Sequence, residues 1–371
     1  MVDYITKKYK SIINKLKYID SWFWCRYTLN VYNGCEHDCV YCDARKRKYN
    51  LQPEFESKII IKENPDLMLD DRLAKSRSLL PDVVGLGGAC DAYQPIEKKT
   101  RNTRKVLKVL LKHKFPVFAL TKSTLITRDI DILSQINHAC WATAAFTITT
   151  IDEEVAAALE PHSSPPEERF KALSKIKQDA PQMQAGVCVM PIIPFLEDNE
   201  ENIDGIVRVA KTNGADFLLF APGVTLQDVQ ATYFYEKIKD KFPDEYKLLL
   251  DFFSGKSIES RRWNQKINKQ FLDACIKYKL PYRMKRFIPS DFRKLNYRVA
   301  EKLLNKAYDL QTNGKKYKDF LWTGLNIQNL KESLISVKNR GDIEAIKGLT
   351  RRVFNDVKPF LNKKTGLDRF I

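Results

Sequence analysis

Short apolar runs recur through the first two thirds of the chain, at residues 28–32, 83–87, 117–121, 143–149, 186–190 and 217–221. Each has strand length, and several are rich in Val, Ile, Phe and Thr, as strands buried on both faces are. Amphipathic stretches lie between them. Residues 103–114 put Val106, Leu107, Leu110 and Leu111 on one helical face, and 167–178 and 199–213 carry the same period. Alternating strands and helices predict a parallel sheet, and six such units make a partial (β/α)6 barrel of the α/β class. Chemistry then belongs at the C-terminal ends of the strands. Residues 1–27 read as a helical lead-in closing on Trp22-Phe23-Trp24. The barrel is expected over 28–255, with a mixed segment from 222, and 256–371 read as mainly helical.

Charge sharpens that boundary. Of 371 residues, 63 are Lys or Arg and 46 are Asp or Glu, a net charge of +17. Residues 1–255 balance at 35 of each sign, whereas 256–371 hold 28 basic residues against 11 acidic ones. A basic segment on a neutral domain points to a polyanion, DNA or RNA first, although a Lys-rich solvated surface reads the same way. Aromatics interleave with the charges (Trp263, Tyr282, Phe287, Tyr297, Tyr317, Trp322), a mixture that suits unstacked bases and equally suits ordinary helix packing. A hydrophobic content of 44% supports a packed core. No apolar run is long enough to span a membrane, and the Lys-rich N-terminus lacks a signal-peptide core. The cytoplasm is the expected location.

Eight cysteines are present, and three of them stand in Cys35-Glu36-His37-Asp38-Cys39-Val40-Tyr41-Cys42, directly after the first expected strand. In a reducing compartment a tight group of thiols binds metal rather than forming disulfides. Three thiolates in one loop suit one face of an iron–sulfur cubane. A zinc site wants a fourth ligand at matching spacing, and no second Cys or His pair follows. A cubane held by three thiolates leaves one iron open, the arrangement that separates catalytic from structural metal sites. Cys25, Cys140, Cys188 and Cys275 show no ligand spacing and read as packing residues.

The C-x3-C-x2-C spacing with Tyr41 before the last Cys resembles the radical S-adenosylmethionine (SAM) superfamily. Within it the chain is most similar to the spore photoproduct lyase-like, or DNA repair photolyase-like, branch. The resemblance is carried by NVYNGCEHDCVYCDAR (30–45), VGLGGACDAYQPIEKK (84–99), LTKSTLITRDIDIL (120–133), FTITTIDEE (146–154), EPHSSPPEERFKAL (160–173) and MPIIPFLEDNEENI (190–203). It implies a [4Fe-4S] cluster on Cys35, Cys39 and Cys42, with SAM chelating the open iron. It also implies a reductant protein such as flavodoxin or ferredoxin, reductive cleavage of SAM, and hydrogen-atom abstraction from a substrate. Tyr41 belongs to the cofactor site.

Further residues follow from the same resemblance. Gly87, Gly88 and Ala89 meet the SAM amino group, and Asp91 stands two residues on, where the family often carries an acidic residue directly after the glycines. Lys122 pairs with the SAM carboxylate, Thr147 and Thr149 contact the ribose or carboxylate, and Arg169 reaches the same site. Met190-Pro191 flanks the adenine. Cys90 matches a thiol that returns a hydrogen atom to the substrate radical, while a small packing Cys remains the plain alternative. One departure stands out: Asp43 follows the third Cys where spore photoproduct lyases carry a second Tyr, so an identical relay and substrate do not follow. Three readings stay open. They are a radical SAM enzyme on nucleic acid, one on a small molecule or protein, and a non-enzymatic metal-containing nucleic-acid-binding protein.

Overall fold

A computed structural model describes residues 2–362 apart from 50, 53, 255 and 256. Its main sheet has seven strands, β2 (Ile13–Lys15), β3 (Tyr27–Leu29), β6 (Val84–Leu86), β7 (Val117–Thr121), β8 (Ala142–Thr147), β9 (Gln184–Val189) and β10 (Phe217–Phe220). They lie in the order β10-β9-β8-β7-β6-β3-β2. β2 runs antiparallel to β3, and every other pairing in the sheet is parallel. Six parallel strands separated by helices form the arc of a partial (β/α)6 barrel. Five of the six coincide with apolar runs of the sequence, because strands covered on both faces need continuous apolar residues, while the run 28–32 is split between the end of β3 and the start of the strand Tyr32–Asn33 in a second sheet. Every residue of β8 and of β10 is buried.

Local signals place the helices between strands. Asp152 caps helix Glu153–Leu159 by accepting from the Glu154 and Val155 amides at 2.9 and 3.0 Å. Asn199 caps Glu200–Thr212 through the Asn202 amide at 2.8 Å. Helix Asn102–Lys112 buries Val106, Leu107 and Leu110 as its period requires, while Leu111 only packs against the core's edge.

The expected helical lead-in over 1–27 is instead two strands, β1 (Asp3–Lys7) and β2, with irregular backbone around them. β1 pairs in parallel with β5 (Lys58–Lys62), and β5 pairs antiparallel with β4 (Tyr32–Asn33), giving a second, three-stranded sheet β1-β5-β4. β1 is mostly exposed, so it lacks the apolar run that marks a buried strand.

The chain divides into two compact units, residues 1–15 with 25–285 and residues 16–24 with 286–371. The boundary expected between 255 and 256 falls on residues outside the described ones, and the structural break lies thirty residues later. Helix Ser257–Lys277 belongs with the barrel. Its Ile267, Phe271, Ala274 and Cys275 are buried in the barrel core, and Phe271 stacks on Phe220 with centroids 4.8 Å apart. The charge shift tracks its exposed face, whereas the core follows its apolar one. The second unit is helical around its own core of Val299, Leu303, Phe320, Ile327, Leu334, Val353 and Val357. Among the described residues, no helix is long and apolar enough to cross a membrane.

Candidate functional site

The cysteine loop leaves β4 through Gly34, where φ is +85° and an added Cβ would lie 2.8 Å from the Lys58 and Phe55 carbonyls. Only glycine fits that approach. The loop is then tied down along its length. The Cys35 amide donates to the Phe55 carbonyl at 2.9 Å, and the Val40 amide to Leu159 at 2.9 Å. Gln94 spans the turn, accepting from the Glu36 amide at 3.0 Å and donating to the Gly34 carbonyl at 3.1 Å. Glu36 accepts from the Ile96 amide at 2.8 Å and from Tyr4 at 2.7 Å. Cys35 and Cys39 are buried and Cys42 is half-buried, all as free thiols. Burial pushes Cys39 up to about 12, with Lys122 pulling it back; Cys42 is raised by burial too, and again Lys122 opposes.

Asp91 knits three elements together at the strand C-terminal ends. Its carboxylate accepts from the Thr121 hydroxyl (2.7 Å), the Tyr93 amide (2.8 Å) and the Lys122 amide (2.8 Å), and it faces His37 Nε2 at 3.4 Å. Burial alone would raise this carboxyl. His37 and the two amides instead hold it down at about 2. His37 Nδ1 in turn meets the His162 carbonyl at 3.0 Å. The cysteine loop, the β6 exit and the end of β7 are therefore locked in one arrangement.

At the β6 exit, Gly87 has φ +87°, and an added Cβ would lie 2.4 Å from the Leu120 carbonyl oxygen. Its glycine is demanded by the neighbouring strand. Gly88 differs, being exposed with open space where a Cβ would project, and Ala89 beside it is half-buried. Cys90 is buried, and its Sγ donates to the Tyr32 carbonyl at 2.9 Å. Burial pushes this thiol up to about 12 against the pull of Lys62, so it stays protonated near neutrality.

Lys122, just past β7, lies with its Nζ 5.4 Å from the centre of the Tyr41 ring. Burial would depress this ammonium, yet the fields of Cys39 and Glu160 raise it overall. It is a held positive charge beside two of the three thiols. The Tyr41 hydroxyl donates to Glu160, which Arg169 pairs at 2.5 Å. The Arg169 guanidinium also donates to the Ser164 carbonyl at 2.6 Å and the Thr147 carbonyl at 2.8 Å. Arg169 therefore braces Tyr41 and the end of β8 through Glu160, rather than extending as a bare cation. Thr147 and Thr149 are buried there, and the Thr149 carbonyl accepts from Asn202 at 3.0 Å.

Two acidic residues at this end, Glu160 and Glu197, lie in segments that carry the family resemblance, but nothing in the sequence assigns either a role. Glu160 is one of 46 acidic residues and stands at no motif spacing of its own. Glu197 is fully buried in the loop after β9. Its Oε2 accepts from the Ile193 amide at 2.8 Å, whereas Oε1 has no hydrogen-bond partner. Burial pushes its carboxyl up to about 8, held back by the nearby Thr149 hydroxyl and the Ile193 amide.

The donor set fits a cluster. Among the described residues, no group of three or more His, Cys, Asp or Glu side chains could hold one metal ion. Thiolate is the natural ligand of cluster iron, and Cys35, Cys39 and Cys42 share one loop. Thiols spread along one loop, with Lys122 offsetting negative charge, suit a larger iron–sulfur group. Gly88, Lys122 and Thr149 stand at successive strand ends around the same loop.

The family model of the Radical SAM superfamily matches residues 29–235. An uncharacterized protein of Mycobacterium tuberculosis is 28% identical over 194 residues, 51% of this chain and 56% of that protein, so the match spans little more than half of the relative. An uncharacterized protein of Methanocaldococcus jannaschii is 31% identical over 177 residues, 47% of this chain and 63% of its own. An Acidianus two-tailed virus protein is 25% identical over 261 residues, covering 65% of this chain and 83% of that one. Among solved structures, spore photoproduct lyase complexed with dinucleoside spore photoproduct superposes with a TM-score of 0.54 at 16% identity, over 74% of this chain and 79% of that one. At that identity the likeness is one of fold.

Proposed function

This chain belongs to the radical SAM superfamily, and on that premise we propose that it is a SAM-cleaving enzyme acting on nucleic acid. Cys35, Cys39 and Cys42 hold the [4Fe-4S] cluster that the superfamily uses, and the strand ends around them hold SAM. The bound pair supplies one-electron cleavage of SAM, the source of a radical that abstracts hydrogen from substrate. The observation that carries this reading is the placement of three free thiols in one pinned loop beside the Lys122 ammonium.

The chain's own residues do the rest. Lys122 receives the SAM carboxylate. Gly88 and Ala89 leave backbone open to the SAM amino group, and Thr147 and Thr149 line the nucleoside side. Arg169 positions Tyr41 through Glu160. Cys90, kept as a thiol by burial, would give its hydrogen atom to the substrate radical, and the thiyl radical left would return to the thiol by one electron from the reductant protein and a proton. The nucleic-acid substrate is supported by the basic excess of residues 256–371 and by the dinucleoside ligand in the fold neighbour. A flavodoxin- or ferredoxin-type reductant and a cytoplasmic location complete the reading.

Anaerobic reconstitution with iron and sulfide, followed by dithionite and SAM, tests it. The expected result is a thiolate-to-iron absorption band and release of 5′-deoxyadenosine. Both are lost in Cys39→Ala, while Cys140→Ala behaves as wild type. A loaded cluster that yields no 5′-deoxyadenosine would overturn the enzyme reading.

A further inference from the structure

The loop leaving β9 carries a second unusual residue, two positions before Glu197. Phe195 has φ +66°, in the left-handed region that bulky residues avoid. It is also 42% exposed, so burial of its ring does not explain the strain. Strained backbone of this kind persists only where surrounding structure enforces it, and it gathers at functional sites. Here the enforcement is visible. Asp198 accepts from the Phe195 amide at 2.8 Å and from Trp263 Nε1 at 2.5 Å.

The Phe195 ring meets Phe252 edge-on, centroids 5.8 Å apart, and Phe252 meets Trp263 at 5.6 Å. Trp263 lies 3.7 Å from where a Cβ on Gly223 would sit, in the loop after β10. That loop joins the Phe195 loop through the Gly223 amide and the Ile192 carbonyl at 3.2 Å. Three rings thus rim the strand C-terminal end where β9 and β10 exit. Arg262 adjoins Trp263, and Lys266 follows one helical turn later. Both are exposed, and among the described residues neither forms an ion pair.

We propose that Phe195, backed by Phe252 and Trp263, is a stacking site for an unpaired nucleobase of the substrate strand, with Arg262 and Lys266 taking its phosphates. The inference rests on the nucleic-acid reading above and names the surface that recognises the base. Every base offers a π-face to an exposed ring, and Lys266, three residues after Trp263 on the same helix, shares its face and matches the strand's charge.

The test uses the full chain and a short fluorescein-labelled oligothymidylate, read by anisotropy, with heparin as a polyanion lacking bases. Phe195→Gly separates fold from function, because glycine is at ease at φ +66°. The variant is expected to keep or raise the denaturation midpoint, yet to bind oligothymidylate about fivefold or more weakly, the loss of one stacked base. Heparin binding is expected to stay unchanged in Phe195→Gly and to weaken in Arg262→Glu. If Phe195→Gly binds oligothymidylate as wild type does, or loses heparin equally, the stacking site is wrong and the nucleic-acid reading stands. If the wild type binds no oligonucleotide while cleaving SAM, the substrate reading and the site fail together.

Discussion

Glu197 shows how much a single side chain can report. A carboxyl whose folded value is about 8, against an ordinary value of 4.5, binds its proton more tightly folded than unfolded. Its contribution to stability is complete below about pH 4.5 and is lost as pH rises toward 8. Across that window the cluster-free protein should lose up to about 1.4 kcal/mol per pH unit through this group. Glu197→Gln, neutral in both states, should flatten the slope. Urea melts of both proteins at pH 5, 6, 7 and 8 measure it, and parallel curves would show that Glu197 is solvated or paired after all. Arg169 makes a related point at the residue scale. Its pairing with Glu160 hides the charge, and removing the Arg alone would leave a buried carboxylate, a change that typically costs about 3–5 kcal/mol. Loss of activity in an Arg169 variant would therefore speak of the brace before it spoke of SAM.

At the scale of elements, the β6 exit holds two adjacent glycines with different reasons to be glycine. Gly87→Ala must place a Cβ 2.4 Å from the Leu120 carbonyl at a positive φ, and backbone strain with a backbone clash should cost about 2–4 kcal/mol. Gly88→Ala meets nothing within 4 Å and should shift stability by less than about 0.5 kcal/mol, yet weaken SAM binding to the reconstituted protein by partly covering the open backbone. Equal destabilisation in the two variants would count against this division. The family resemblance assigns both glycines to SAM. The turn is legible in the sequence, but spacing cannot reveal a carbonyl from the next strand. The same boundary between local and distant signals runs through the rest of the fold. Five of the six barrel strands are legible because continuous apolar runs are what two-sided burial requires. β1, with the sequence DYITK, is not, since its partner β5 lies 55 residues away and most of its side chains are exposed. The cysteine loop is legible from spacing. The Tyr41–Glu160–Arg169 brace is not, because it joins three segments that only the fold brings together.

For the whole molecule, the two units make the choice of truncation decisive. A chain ending at 255 loses helix Ser257–Lys277 and with it the buried Ile267, Phe271, Ala274 and Cys275. It also uncovers β10, whose Leu218 amide donates to the Pro281 carbonyl at 2.8 Å. Four buried side chains at about 1.5–3 kcal/mol for the larger ones exceed what a marginally stable domain can lose, so this chain should show no cooperative unfolding transition. A chain ending at 285 keeps the whole barrel unit. It strands residues 16–24, since Ile19 gives up its bond from Gln328, Trp22 its edge-on packing with Tyr308, and Trp24 the guanidinium of Arg286. Cooperative unfolding should survive there, together with new binding of a hydrophobic dye. Charge then separates the roles of the units. Residues 16–24 and 286–371 hold 20 Lys and Arg against 10 Asp and Glu. If those residues engage phosphates, removing 286–371 should flatten the dependence of log K on log salt, by roughly 0.9 for each phosphate of duplex DNA no longer neutralised. Affinity should fall at low salt and converge with the full chain at high salt. The aromatic rim, which belongs to the barrel unit, should keep its preference for unpaired bases in the shorter chain. An unchanged salt slope would mean that the helical unit's basic excess is only a solvated surface. The barrel's own cations, Arg262 and Lys266 among them, would then carry the electrostatics of binding.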